Sequence, residues 1–230
     1  MGNIPAAPET QYGTRAGLRA RWLVVAAWAP ELGHLRAGLA GLPSSTRKRV
    51  TLETVGVGLV EAATGGARLL GRHAPDGVLL VVTAGCYPRH SQAFAIGSAA
   101  ICRQIRLLPP VLGRQHGFLP SIIPTQERCS TALVRVLRKA TVLPMADVAC
   151  PLSITASKKA ATAAAELSGC ALENLEAFSV ARAATAAGIP FAAVLGIANQ
   201  VGPAAHAEWK KYGPAAAAAA CQAVLDFFRA

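Results

Sequence analysis

Short unbroken apolar segments alternate along this chain with segments that have the spacing of helices. The clearest apolar segments are WLVVAAWA at residues 22–29, GVLLVVTAG at 77–85 and FAAVLGIAN at 191–199. Apolar sequence without a polar face is typical of strands that are buried on both sides of a sheet and covered by helices. The alternation therefore predicts an α/β domain in which helices flank a central mixed, mostly parallel sheet.

The same pattern predicts how the chain is organised. Residues 1–20 carry no sustained apolar pattern and are expected to form a flexible tail before a single domain at 21–230. Further strands are expected at 95–102 and 140–142. The predicted helices cover residues 61–74, 126–139, 157–168, 174–187 and 214–229.

The chain is strongly basic, with 23 Lys and Arg against 12 Asp and Glu and a formal net charge of +11. The basic residues are scattered in ones and twos, as at 158–159 and 210–211, without interleaved aromatic residues. We therefore expect no specific nucleic-acid partner. The longest apolar stretches, 22–30 and 214–221, are shorter than the ~20 residues of a membrane span, so no membrane partner is expected either.

The cysteines indicate a reducing compartment. They show no CxxC pair and no spacing to histidines that suits zinc, so we interpret them as buried apolar residues and predict no metal site. No apolar signal segment precedes Trp22, and together these features predict a soluble, cytoplasmic protein. The six cysteines are Cys86, Cys102, Cys129, Cys150, Cys170 and Cys221.

Common cofactor and catalytic motifs are missing from the sequence. The GVG at Gly56–Gly58 lacks the third glycine of a dinucleotide loop, because that position is Glu61. No P-loop, HExxH or GxSxG sequence occurs. No cofactor is predicted.

Polar residues instead follow the apolar strands, where open α/β sheets bind their ligands. Glu31 follows the first strand, the segment VTAGCY at 82–87 ends another, and Asn199 closes the strand at 191–199. Glu176 lies in ENLEAF at 173–178. Each has an ordinary structural interpretation, as a helix-terminus, turn or solvated helix residue. Their order along the chain is more informative than any one of them.

That order resembles the nucleoside phosphorylase superfamily, and within it the nucleosidase branch that includes methylthioadenosine/S-adenosylhomocysteine nucleosidase and futalosine hydrolase. The resemblance is carried by AAWAPEL with Glu31, by VGVGLVEAA, by the turn TAGCY and by AIGSAAI. Its strongest parts are Leu175-Glu176-Ala177, where the family has MEG or MEA, and PFAAVLGIANQVG at 190–202. The second of these is closer to futalosine hydrolase than to the adenine-specific enzymes, whose segment ends in S-D.

The resemblance implies a three-layer nucleoside-phosphorylase-like fold, a nucleosidase domain at 21–230 and a homo-oligomer. It also implies a purine nucleosidase with futalosine as substrate, cleaved to hypoxanthine and dehypoxanthine futalosine in menaquinone biosynthesis. The small-molecule nucleoside is the expected partner. The chain departs from the family at Asn174, Leu175, Cys86 and Ala198, and at the two lysines 158–159.

Cleavage of a purine N-glycosidic bond passes through a ribosyl cation, and the candidate residues fit its needs. Glu31 is the expected base for water, Glu176 the acceptor for the ribose hydroxyls, and Leu175 an apolar surface beneath the sugar. Asn199 is expected to donate to a 6-oxo group and to accept from N7–H of the base. Further substrate contacts are expected from Asn174, Ala84, Gly85, Ser153 and Phe178.

Three alternatives remain open at this point: an adenine-type nucleosidase, a phosphorylase, and a nucleoside-binding protein without activity. A phosphorylase must hold phosphate, but no GSG-type loop follows the first strand and only Arg89 lies near the TAG turn. Water is therefore the favoured nucleophile. The joint presence of Glu31, Glu176 and Asn199 favours an enzyme over a binding protein.

Overall fold

The sheet of this protein contains eight strands in the residues that a computed structural model describes, 20–109 and 120–230. The strands are β1 (Trp22–Ala26), β2 (Val50–Thr54), β3 (Gly77–Cys86), β4 (Ala99–Leu108), β5 (Gln126–Arg128), β6 (Met145–Pro151), β7 (Leu172–Glu173) and β8 (Phe191–Gln200). The helices are α1 (Gly33–Leu39), α2 (Ser44–Arg47), α3 (Leu59–His73), α4 (Thr131–Thr141), α5 (Lys158–Ser168), α6 (Ala177–Ala186) and α7 (Ala205–Arg229).

The strands run in the order β2-β1-β3-β7-β6-β4-β5, and β8 pairs with both β3 and β4. The strands β3, β8, β4, β6 and β7 therefore close into a ring. Within the described chain, five pairings are parallel and three are antiparallel. The predicted mixed, mostly parallel sheet flanked by helices is confirmed.

The sheet interior is apolar, as the unbroken strand sequences predicted. Every residue of β1 is buried, and in β3 the segment 78–82 is no more than 1% exposed. In β8 only the last residue, Gln200, is exposed. Strands buried on both faces explain why their sequences show no polar alternation.

Several predicted boundaries are wrong. Residues 126–128 form β5 rather than the start of a helix, because they pair antiparallel with β4. The strand predicted at 140–142 is absent: α4 ends at Thr141, and the next strand begins at Met145. The helix predicted from 174 begins at Ala177, and the C-terminal helix begins at Ala205 and continues through Pro214. At 126–128 the pairing with a distant strand overrides the local pattern.

The predicted tail at 1–20 lies, apart from Ala20, outside the described residues. Across ranges 20–109 and 120–230, none of the helices has the length and apolar character needed to cross a bilayer.

Helix α7 lies directly against β8, and Gly196 makes this close approach possible. A Cβ atom at Gly196 would overlap the backbone carbonyl oxygen of Ala216 in α7. Small residues on the facing side of the helix, Ala216, Ala217 and Ala220, are buried there. The alanine-rich sequence at 215–220 thus serves close packing of a helix on the sheet.

We expect Gly196→Ala to lower the free energy of unfolding by about 1–3 kcal/mol, because the added methyl group forces α7 away from β8. The control is Gly71→Ala in α3, where nothing lies within 4 Å of the added Cβ. That control should leave stability unchanged or raise it by up to about 1 kcal/mol, since alanine favours helix. Urea unfolding monitored by circular dichroism measures both. Equal stability of the two variants would contradict the packing argument.

Candidate active site

A cavity of about 370 Å³ opens at the carboxyl ends of the central strands. Its wall includes residues just after β1, the end of β3, the end of β8 and the segment from β7 into α6. The carboxyl ends of parallel strands meet at one edge of a sheet, which is where such folds bind ligands. Seven of the predicted site residues line it: Glu31, Ala84, Gly85, Asn174, Leu175, Glu176 and Asn199.

Two predicted substrate contacts are not among the lining residues. Ser153 is exposed in the segment after β6, where the neighbouring Ile154 faces the cavity instead. Phe178 is in the first turn of α6 and belongs to the hydrophobic core. Neither Ser153 nor Phe178 therefore lines the cavity.

Glu31 is held by three donors from two different strand ends. Its Oε1 accepts hydrogen bonds from the Thr83 N–H at 2.8 Å and the Thr83 hydroxyl at 2.9 Å. Its Oε2 accepts from the Ala27 N–H at 3.2 Å. Glu31 lies in the short 3-10 turn Ala29–Leu32, which has Pro30 as its second residue and buries the glutamate. Glu31 as a whole is 5% exposed.

Burial raises the pKa of Glu31 to about 7, and the negative charge of Glu176 contributes in the same direction. The hydrogen bonds from Thr83 and Ala27 act against this rise because they favour the ionised form. A carboxylate with a pKa near neutrality is suited to accept a proton and release it again at physiological pH.

Glu176 is positioned by the backbone of the G-x-G segment and by Asn174. Its Oε1 accepts from the Gly58 N–H and its Oε2 from Asn174 Nδ2, both at 2.8 Å. Burial raises the pKa of Glu176 as well. Gly58 has a φ of +86°, a conformation that favours glycine. The GVG sequence thus orients a carboxylate.

Asn174 joins several parts of the site. Its Oδ1 accepts from the N–H groups of Glu176 and Ala177, which caps the start of α6. Its Nδ2 donates to the Thr83 carbonyl oxygen at 3.0 Å as well as to Glu176. These bonds make Asn174 chiefly a support for Glu176.

Thr83 is the residue that sequence reasoning missed at the centre of the site. Its N–H and hydroxyl hold Glu31, and its carbonyl oxygen receives Asn174, which holds Glu176. One residue of β3 therefore places both carboxylates in the same cavity. Its position near the carboxyl end of a buried apolar segment was the signal that the sequence offered.

Asn199 lies opposite Gly85, where the register of β3 and β8 shifts. Its Nδ2 donates to the Gln200 carbonyl oxygen at 3.1 Å, and the residue is 9% exposed. A Cβ atom at Gly85 would lie 2.8 Å from Asn199 Nδ2. Gly85 therefore makes room for the Asn199 amide at the cavity wall.

Aromatic residues form another part of the wall, which the sequence patterns did not reveal. Trp28 and Trp209 have ring centroids 5.9 Å apart, and His206 stacks on Trp209 at 6.1 Å. Val57 and Ile154 line the same cavity and are more than half exposed. The cavity is thus lined by carboxylate and amide groups on one part of its surface and by aromatic and aliphatic side chains on another.

Neither lysine nor arginine is among the described residues that line the cavity. Arg89, the arginine nearest the TAG turn in sequence, donates from Nη2 to the Ala165 carbonyl oxygen at 2.8 Å. Lys158 and Lys159 are exposed at the start of α5. Among residues 20–109 and 120–230, no group of three or more His, Cys, Asp or Glu is arranged to hold a metal ion.

Fold and site together are those of an α/β protein with paired carboxylates at the carboxyl edge of its sheet. A family model described as "Phosphorylase superfamily" matches residues 25–229, and the chain belongs to this superfamily. Comparison with curated proteins gives no match.

Solved structures with the same fold include nucleosidases of two specificities. A 5′-methylthioadenosine/S-adenosylhomocysteine nucleosidase from Colwellia psychrerythraea 34H, in complex with adenine, has a TM-score of 0.80 and 17% identity. The similarity covers 92% of this chain and 95% of that one. Futalosine hydrolase of Helicobacter pylori has a TM-score of 0.79 and 14% identity, with 92% of this chain and 98% of that one covered. At sequence identities of 14–17%, the similarity to these structures shows that the fold is shared.

The raised pKa of Glu31 predicts a pH-dependent stability. Between the unfolded value of 4.5 and the folded value of about 7, the folded protein binds more protons at this site than the unfolded chain. The free energy of unfolding should therefore fall as pH rises through this window, by on the order of 2–3 kcal/mol from Glu31. Glu31→Gln should lose that part of the dependence.

Urea unfolding of the parent and of Glu31→Gln at pH 5 and pH 8 measures the difference. Glu166→Gln makes the same charge change at an exposed position of α5 and serves as the matched control. A Glu31→Gln variant with the parent's full pH dependence would show that Glu31 is not the group responsible.

Proposed function

We propose that this protein is a purine nucleosidase that uses water to cleave the N-glycosidic bond of a 6-oxopurine nucleoside. The observation that carries the proposal is the joint placement of two buried carboxylates, Glu31 and Glu176, around Thr83 in one cavity. Glycosidic cleavage needs a base for water and a negative charge near the ribosyl cation, and the two carboxylates of this cavity can supply one each.

Glu31 is the base in this mechanism. Its ionised carboxylate takes a proton from water, the resulting hydroxyl group bonds to C1′, and the bond from C1′ to the purine nitrogen breaks with its electron pair going to the purine. The purine anion takes a proton at N7 from solvent water, and Glu31 returns its own proton to solvent. With a pKa of about 7, Glu31 is substantially ionised at neutral pH and still basic enough to take the proton.

Glu176 binds the sugar. Two donors, the Gly58 N–H and Asn174 Nδ2, hold one oxygen each. An ionised carboxylate has about four acceptor sites, so two remain for the 2′- and 3′-hydroxyls. Its charge stabilises the ribosyl cation, and Leu175 supplies an apolar surface beside it.

Asn199 selects the base. Its Nδ2 donates to O6 of the purine while its Oδ1 accepts from N7–H of the leaving group, a pattern that fits a 6-oxopurine. An aspartate at this position would instead accept from a 6-amino group. The substrate we propose is futalosine, because the rings of Trp28 and Trp209 offer stacking surface for its carboxyphenyl group.

The described lining favours water over phosphate as the nucleophile, since it contains no lysine or arginine to neutralise an anion. Lys158 and Lys159 follow the segment that contributes Ile154, and they are available outside the cavity for the carboxylate of futalosine's carboxyphenyl group.

The burial of Glu31 favours an enzyme over a binding protein. Burying an ionisable carboxyl group costs free energy, and carboxyl groups with a strongly raised pKa are concentrated at catalytic sites.

We further propose a homo-oligomer, on the resemblance to relatives that complete their sites with a neighbour's loop. Static light scattering that gives the mass of a monomer at micromolar concentration would contradict this. The cytoplasmic location remains a prediction.

Glu31→Gln should reduce kcat for release of free base by roughly 10²-fold to 10⁴-fold with KM nearly unchanged, because it removes the base and keeps the shape. Chromatography of reactions with futalosine and inosine measures the released base, with and without phosphate. Glu166→Gln is again the matched control. Full activity of Glu31→Gln would refute the assignment, and a strict requirement for phosphate would favour the phosphorylase.

Asn199→Asp should lower kcat/KM for 6-oxopurine nucleosides by roughly 5-fold to 150-fold, because the carboxylate cannot donate to O6. Activity on the 6-amino counterparts should hold or rise. The parent and the variant are compared on futalosine, its 6-amino counterpart, inosine and methylthioadenosine. A parent that prefers the adenine compounds would exclude this role of Asn199 and favour an adenine nucleosidase.

A further inference from the structure

Trp209 connects the C-terminal helix to the base through a directed chain of hydrogen bonds. Its indole Nε1 donates to Thr83 Oγ1 at 3.1 Å, and this hydroxyl donates to Glu31 Oε1 at 2.9 Å. The two bonds bring together residues from α7, β3 and the turn after β1. The proposed function above gives the Trp209 ring a stacking role toward the substrate, but it gives the indole N–H no role toward the base.

We propose that Trp209 is a positioning residue for Glu31: its indole N–H occupies a lone pair of the Thr83 hydroxyl and so holds the single hydroxyl proton on Glu31 Oε1. This inference deepens the proposed function, because it concerns the group assigned as the base in that reaction.

The argument follows from the hydrogen-bonding capacity of the three groups. An indole nitrogen only donates, so the bond between Trp209 and Thr83 has one possible direction. A threonine hydroxyl has one proton and two acceptor sites. With Trp209 donating to the oxygen, the proton of Thr83 is directed to Glu31, the acceptor 2.9 Å away.

This arrangement favours the ionised form of Glu31. A proton on Glu31 Oε1 would face both the N–H and the O–H of Thr83, and a proton on Oε2 would face the Ala27 N–H and weaken the charge that Oε1 presents to Thr83. Trp209 therefore opposes the effect of burial, which raises the pKa of Glu31. Without the indole N–H, the pKa should rise further.

Other titratable groups face Glu31 from the elements around it. Glu176 lies in the same cavity, as do Glu173 and His206. From α7, the Cys221 thiol donates to the backbone oxygen of Glu31 at 3.0 Å. Replacing Trp209 by phenylalanine leaves all of these side chains in place and keeps a ring against Trp28 and His206.

Trp209→Phe should shift the acidic limb of the pH profile of kcat upward by about 0.5–1 pH unit, the effect expected for loss of one hydrogen bond. Below pH 7 this lowers kcat by about 3-fold to 10-fold, while above pH 8.5 the loss largely disappears. KM should change much less than kcat. A purely structural role would lower activity equally at all pH values.

A second measurement does not depend on activity. The carboxyl ¹³C resonance of Glu31, assigned by its absence in Glu31→Gln, can be titrated directly in the parent and in Trp209→Phe. In Trp209→Phe, the pH midpoint of this titration should lie about 0.5–1 pH unit higher than in the parent. If no nucleoside is cleaved but this shift is seen, the proposed function fails while the role of Trp209 stands.

Two controls separate the hydrogen bond from packing. Trp28→Phe removes an indole N–H from the same wall, but Trp28 makes no hydrogen bond to Thr83 in the described structure, so the midpoint of Glu31 should not move. In a Thr83→Val background, adding Trp209→Phe should cause no further shift, because the connecting hydroxyl is gone.

If Trp209→Phe does not fold, incorporation of 3-benzothienylalanine at position 209 keeps the shape of indole and replaces N–H by sulfur. The proposal would be overturned if a folded variant at position 209 left the pH midpoint of the Glu31 titration unchanged. It would also be overturned if the midpoint shifts of Trp209→Phe and Thr83→Val were additive in the double variant.

Discussion

The site depends on one threonine near the carboxyl end of a buried strand. Thr83 uses its N–H, its hydroxyl and its carbonyl oxygen to hold Glu31 on one side and Asn174, with Glu176, on the other. Two carboxylates that share a cavity repel each other, and burial makes each costly to ionise. Hydrogen-bond donors of the protein offset that cost and hold the two carboxylates in one cavity.

Glycines at the rim allow this concentration of polar groups. At Gly58 a positive φ directs an N–H at Glu176, and at Gly85 the missing side chain leaves space for the Asn199 amide. Gly196 acts from further away, since it lets α7 approach β8. The same helix carries Trp209 and His206 to the cavity. These glycines complete the site because they allow a left-handed backbone conformation at one point and close packing of neighbouring groups at the others.

The balance between burial and hydrogen bonding sets the chemistry of Glu31. Desolvation alone would keep the carboxyl protonated, and hydrogen bonding alone would make it a weak base. The combination gives a pKa of about 7. This value makes the group responsive to small changes in its neighbours, because the populations of both protonation states are appreciable near neutral pH.

The amino-acid sequence by itself determined the sheet and the main polar residues of the site. Unbroken apolar segments identified β1, β3 and β8, and the polar residues after β1 and at the end of β8 identified Glu31 and Asn199, because strand ends are readable from local sequence. Glu176 was identified by the resemblance of Leu175-Glu176-Ala177 to the family motif. Only the tertiary structure decided β5 and β7, whose few residues pair with distant strands, and the start of α7 at Ala205. It also decided the partnership of Trp209, Thr83 and Glu31, and it left Ser153 and Phe178 outside the cavity wall. The physical reason is that hydrophobic periodicity reports on local geometry, whereas a hydrogen bond between residues 126 positions apart depends on how helix and sheet pack.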